Sequence, residues 1–272
     1  MTVRSGFSRW LRRVAGGPRL RIVLRQSPDW RNTPHATLLE GSRAFCRTVG
    51  RAAGIGENFI SDVVAVWDRT FRTSFFEVRA RMKDIAQMNL SAVPAIRSPV
   101  AAVTAPADAA ELYVFIDDDD WLRPDLLQAL RSCGGTDADG IVFGNILCVS
   151  RVELRPLDDV CYTNNYAVSG DFLRRHPADF APLVQHWDAH AIFHRRDFRR
   201  VQAPVYLSAT NKHPASTMKL KDGLEHAELS GATLRRLVQR YVDESATAVL
   251  PPEAEWVAPH VRQVREVFAG LR

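Results

Sequence analysis

Asp117, Asp118, Asp119 and Asp120 stand in a row within YVFIDDDDWLRPDLLQAL, residues 113–130, directly behind an apolar run. Two carboxylates ~6 Å apart repel by roughly 3 kcal/mol at an effective dielectric of about 20. Several together are tolerable when fully solvated, or when a cation neutralises them. Full solvation fits poorly, because the run is pinned between YVFI and WL, residue types that belong in a core. A hard divalent cation with oxygen ligands fits better. Mg²⁺ or Mn²⁺ keeps only one or two protein carboxylates and fills its other positions with water and substrate phosphates.

A second constellation competes. His186, His190 and His194 fall at i, i+4 and i+8, one face of any helix there, with Asp188 between the first two. His-x₃-His is a workable chelating spacing for zinc. Three histidines over two helical turns do not converge easily on one ion, and no HExxH accompanies them. The four cysteines, Cys46, Cys133, Cys148 and Cys161, show neither CxxC nor zinc-finger spacing. They read as reduced, mostly buried thiols of a cytosolic protein.

The elements that must position these groups follow from pattern. LRIVLRQ (20–26) reads as a first strand, HATLLEGSRAFCRTVG (35–50) as a helix and DVVAVWD (62–68) as a second strand. Phe71, Phe75, Val78, Met82, Ile85 and Met88 then recur at steps of four and three, the core stripe of a helix. PVAAV (99–103) and ELYVFI (111–116) follow as strands. The order β-α-β-α-β-β predicts an α/β fold with a mostly parallel, Rossmann-like sheet flanked by helices. Ligands of such sheets sit at the carboxyl ends of the strands, where the acidic run lies. RPDLLQALRS opens a helix well, with Pro124 in the first turn and Asp125 facing the dipole. GIVFGNILCVS (140–150) and RVELRPL (151–157) predict a hairpin. CYTNNYAVSGDFLRRHP predicts a loop into a short helix, and APVYLSATNKHPAS (203–216) a strand into a polar loop. Two amphipathic helices, GATLRRLVQRYVDE and EWVAPHVRQVREVFAGLR, close the chain as a helical appendage, so that one domain is expected.

The 272 residues are 46% hydrophobic and 25% charged, which excludes disordered, collagenous and repeat classes. The net charge of +5 comes from arginine, since lysine occurs only at 83, 212, 219 and 221. Arginine suits bidentate phosphate binding. Net charge is all that favours nucleic acid, with no recognition motif beside it, so no nucleic-acid partner is expected. No signal peptide and no run of 18 apolar residues is visible. The stretch before Asp29 carries seven arginines and no acidic residue, and Phe7, Trp10, Leu11 and Val14 would share one helical face. It reads as a weak anchor on an anionic membrane surface, as a frayed basic terminus, or as a helix packed on the domain.

VFIDDDDWLRPDLL resembles the signature of GT-A glycosyltransferases: an apolar strand, Asp-x-Asp-Asp, a bulky residue, a Pro and a helix. It is most similar to family 2-like enzymes and the rhamnosyltransferases among them. CYTNNYAVS, HWDAHAIF and YLSATNKHPAS are similar to that group's downstream blocks, and the resemblance runs from about residue 20 to 216. It implies a GT-A-like domain over 19–216, a basic segment over 1–18 and a helical extension over 217–272. The implied activity is metal-dependent transfer of a sugar, rhamnose among the candidates, from a nucleotide-diphosphate sugar to a glycan or other hydroxyl acceptor. Asp117 and Asp119 take the two Asp positions of the DxD motif, with Asp118 in the variable slot and Asp120 following. The implied metal, Mn²⁺ or Mg²⁺, is held by Asp117, Asp119 and Asp120, with His213 or His190 as a late addition. Substrate contacts fall to Asp117, Asp118, Asn164 and Asn165. Asp68 takes either the nucleoside or the cap of the following helix, and Asp188 is the candidate base. The resemblance leaves inversion or retention open. A cytoplasmic setting at the inner membrane face, in surface-polysaccharide assembly, would suit the basic N-terminus.

Two other classes stay in view. A nucleotidyltransferase also places carboxylates and a metal at strand ends, but RQSPDWRNTP lacks the glycines of a phosphate loop. A non-catalytic Ca²⁺-binding protein would need no nucleotide.

Overall fold

The computed structural model describes residues 18–25, 29, 31–53, 58–103, 108–133, 138–157, 164–184, 189–216 and 230–271, with backbone alone for 45–53 and 101. Its strands are β1 (Arg19–Arg25), β2 (Ile96–Pro99), β3 (Glu111–Asp117), β4 (Trp121–Leu122), β5 (Gly140–Cys148), β6 (Val152–Leu154), β7 (Tyr166–Ser169) and β8 (Arg200–Asn211). Its helices are α1 (His35–Ala53), α2 (Phe59–Thr70), α3 (Phe75–Ser91), α4 (Leu126–Ser132), α5 (Gly170–Arg175), α6 (Phe180–Val184), α7 (Ala189–Phe193), α8 (Gly231–Ala246) and α9 (Ala258–Ala269).

The strands form one sheet in the order β2-β1-β3-β7-β5-β8-β4, with β6 paired to β5. The expected mostly parallel sheet is corrected: it is mixed. β2, β1 and β3 are parallel, and so are β5 and β8, but β7 runs antiparallel between β3 and β5, and β4 antiparallel to β8. The antiparallel β7 comes from CYTNNYAVS, whose YAVS half is a strand, where only a loop was expected.

Two further strand expectations give way. DVVAVWD lies inside helix α2, because Ile60, Val63, Val64 and Trp67 bury at helical spacing and packing overrides the β-branched composition. PVAAV is not a strand; β2 ends at Pro99 on the sheet edge, and Val100–Ala102 turns as a 3₁₀ helix.

β3 is buried on both faces. Val114 and Ile116 join a cluster with Ile22, Leu126, Leu130 and Phe143, while Tyr113 and Phe115 join Val23, Tyr166, Phe172 and Phe193. A third cluster unites α2 and α3 with the C-terminal helices: Trp67, Phe75 and Met82 pack with Trp121, Tyr241, Val264 and Phe268. The C-terminal helices therefore complete a core rather than hang from one. No helix of the described residues is long and apolar enough to cross a membrane.

Candidate functional site

The acidic run leaves the carboxyl end of β3 and reaches β4, against β8, within three residues. It thus crosses the edge of the sheet where β1, β3, β5 and β8 all end. Each carboxylate meets a different group of the protein. Parallel register sets Arg25 of β1 beside Asp117, and Arg25 Nε donates to Asp117 Oδ1 at 2.6 Å. Lys83 Nζ lies 3.0 Å from Asp118 Oδ2, and Arg79 Nη1 lies 3.5 Å from Asp119 Oδ2. Arg79 and Lys83 stand one turn apart on α3, the spacing at which helical side chains share a face. The solvated loop and the metal were two ways to tolerate four aspartates; the fold uses a third, its own cations.

Asp120 is an anchor. It is buried, its Oδ1 accepts the Asn211 backbone N–H at 2.8 Å, and its Oδ2 accepts Asn164 Nδ2 at 2.8 Å. Asn164 in turn accepts from Asn145 Nδ2 at 2.7 Å, and Asn145 Nδ2 also lies 3.1 Å from both Ser208 Oγ and Thr210 Oγ1. This buried chain ties the acidic turn to β5, β8 and the entry of β7. It leaves Asp117 and Asp119, with side chains 30% and 18% exposed, as the displayed pair.

The electrostatics separate the two roles. Burial pushes the Asp120 carboxyl well above the usual range, and the charges of Asp117 and Asp119 add to that. Burial acts on Asp119 in the same direction, but the facing His213, Arg79 and Lys212 outweigh it and hold Asp119 below the usual range. Burial lowers the pKa of His213. Its Nδ1 accepts the Ala215 backbone N–H at 3.2 Å, so the proton of the neutral ring sits on Nε2, 3.6 Å from Asp119 Oδ2. His213 Nε2 is buried and faces Asp119 without closing a hydrogen bond.

Among the described residues no three His, Cys, Asp or Glu side chains gather closely enough to enclose a metal. Asp117 and Asp119 match in number the one or two carboxylates that Mg²⁺ or Mn²⁺ keeps, the ion's remaining oxygens coming from water and phosphate. Asp118 and Asp120 are turned into the protein.

The structure distributes the remaining candidates. Asn165 Nδ2 donates to the Phe143 carbonyl at 3.0 Å and secures the loop before β7. Asp68 is exposed on α2, not at a strand end, and its Oδ1 accepts the Phe75 N–H at 2.8 Å, which caps α3. Ser74 caps the same helix by accepting from Glu77 N–H. His190 is exposed on α7 and packs against His194, with ring centroids 4.2 Å apart. Asp188 and His186 lie outside the described residues, as does the basic segment over 1–17.

Sequence reasoning missed Arg25, Arg79, Lys83, Asn145, Ser208 and Thr210. Signals for some were present. Arg79 and Lys83 flank the apolar stripe of a helix that needs no cations for packing, and Ser208 and Thr210 alternate with Leu207 and Ala209 near the end of their strand. Their partners were not legible.

No protein-family model matches the chain, and no curated protein matches it. Among solved structures it is similar to S. aureus TarS 1–349, at 7% identity and a TM-score of 0.32, over 92% of this chain and 70% of that one. A likeness that slight bears on neither fold nor activity.

Proposed function

We propose that the chain is a metal-dependent glycosyltransferase that moves a sugar from a nucleotide-diphosphate sugar to a glycan or other hydroxyl acceptor. One observation carries the reading: Asp117 and Asp119 are displayed at the carboxyl edge of parallel strands, with Arg25, Arg79 and Lys83 around them. Paired carboxylates for a divalent ion, beside cations for phosphate, suit a diphosphate lying across the strand ends. The resemblance of VFIDDDDWLRPDLL to the GT-A signature points the same way, and suggests rhamnose among the donors.

In this mechanism Asp117 and Asp119 would hold the cation. A divalent ion held there would supply charge neutralisation of the diphosphate and Lewis-acid assistance to the departing phosphate. A base takes the proton of the acceptor hydroxyl as its oxygen bonds to the anomeric carbon and the nucleoside diphosphate leaves. Asp188 is the proposed base. The arginine-rich N-terminal segment is proposed to meet an anionic membrane surface at the inner face.

The test is thermal unfolding with UDP, GDP and dTDP in turn, with and without Mn²⁺, on the native chain and Asp119→Ala. A ligand at 100 times its dissociation constant stabilises by ~2.7 kcal/mol, a shift of roughly 5–10 °C at this size. A Mn²⁺-dependent shift with one nucleotide, lost in the variant, is expected. No shift with any nucleotide, with or without Mn²⁺, sinks the transferase reading; a shift with Mn²⁺ alone then leaves a structural metal site.

A further inference from the structure

Resting on the reading above, we infer that Arg25 and Arg79 are diphosphate-binding residues that neutralise Asp117 and Asp119 until a divalent cation takes those carboxylates. The pairing itself carries the argument. Arg25 Nε is 2.6 Å from Asp117 Oδ1 and Arg79 Nη1 is 3.5 Å from Asp119 Oδ2, so each guanidinium faces one of the two oxygens through which its carboxylate would hold a metal. Both are largely covered, with side chains 11% and 14% exposed, so neither charge is dissipated by water.

Charge counting then constrains the ligand. Two carboxylates and two guanidiniums are neutral together, and Lys212, which also faces Asp119, adds positive charge. A divalent ion on the carboxylates leaves a positive surplus in a partly buried place, so the metal alone binds against repulsion. The diphosphate of a nucleotide sugar carries two negative charges and offsets that surplus. The site therefore takes metal and diphosphate as a pair, each raising the affinity for the other by the same factor. The guanidiniums give up a carboxylate and gain a phosphate, for which their fork geometry is equally suited.

Lys83 is a different case. Its partner Asp118 is buried, with a side chain 8% exposed, and belongs to the turn's framework. It keeps its place when metal binds.

The experiment is calorimetric titration of Mn²⁺ into the native chain, Arg25→Gln, Arg79→Gln and Arg79→Lys, followed by titration of UDP, GDP and dTDP into each Mn²⁺-loaded protein. Removing a guanidinium is expected to tighten Mn²⁺ alone by about tenfold and to weaken the nucleotide by about tenfold. Arg79→Lys keeps the charge and stays near the native chain in both. Opposite signs are the signature, since a loosened fold weakens both ligands. Mn²⁺ binding that is unchanged or weaker in both Gln variants overturns the inference, whatever the nucleotides do. Mn²⁺ tightened in the variants, with no nucleotide binding the native chain, overturns the transferase reading and the phosphate half of this one with it.

Discussion

Asp117, Asp118, Asp119 and Asp120 are chemically identical and do unlike work. Alternation along the turn sends Asp118 and Asp120 inward, to Lys83 and to the amides of Asn164 and Asn211, and leaves Asp117 and Asp119 partly exposed. Substitutions should therefore split by parity. Asp120→Ala strands two buried donors, the Asn211 N–H and Asn164 Nδ2, and is expected to lower stability by about 2–4 kcal/mol in urea unfolding. Asp117→Ala removes a partly exposed carboxylate from the largely covered Arg25 and is expected to cost about 1–2 kcal/mol, less than the loss at 120. Equal losses at 117 and 120 would refute the division into displayed and anchoring carboxylates.

Helix α3 shows how an element carries such a site. Its buried positions follow steps of three and four through Phe75, Val78, Met82 and Ile85, and the next step of four lands on Asn89. A reading by residue type takes the neighbouring Met88 for the core, yet Met88 is 52% exposed and Asn89 is 3% exposed. Tertiary contact explains the exchange. Asn89 Oδ1 accepts the Leu122 N–H at 2.8 Å and its Nδ2 donates to the Leu122 carbonyl at 3.0 Å, pairing the backbone of the two-residue strand β4 as a neighbouring strand would. Asn89→Ala leaves both backbone groups of Leu122 unpaired in a buried place, and a loss of about 2–3 kcal/mol is expected by chemical denaturation. Met88→Ala, one residue away, is expected to stay within about 0.5 kcal/mol.

Across the whole molecule the C-terminal helices and the site share one core. Phe268 of α9 packs on Trp67 of α2 and Tyr241 of α8, and stacks on the His213 ring at 5.9 Å. The ring that faces Asp119 is thus backed by the end of the chain. Phe268→Ala is expected to cost about 3–5 kcal/mol, through lost transfer energy and the cavity left behind. A loss below about 1 kcal/mol would show α9 to be dispensable. The same arrangement explains why the last helices cannot be judged from their amphipathic pattern alone: the pattern announces an apolar face without saying what covers it.

The residues that mark the site were legible in the chain itself. An apolar strand running into four aspartates, a turn and a helix is a local pattern, governed by local propensity and burial, and β1, β3 and α4 form where the pattern places them, as does α3 from Phe75, with Phe71 of the expected stripe extended in the turn before it. What the carboxylates face was decided only in three dimensions. Arg25 is 92 residues from Asp117, and Arg79 and Lys83 are contributed by a helix from before the strand; register and packing bring them together. The direction of β7, the helical state of DVVAVWD and the burial of Asn89 belong with them. Each turns on a partner distant in sequence, and such pairings leave no local signal: a strand does not know its neighbour, nor a helix what will cover its apolar face, until the chain has folded.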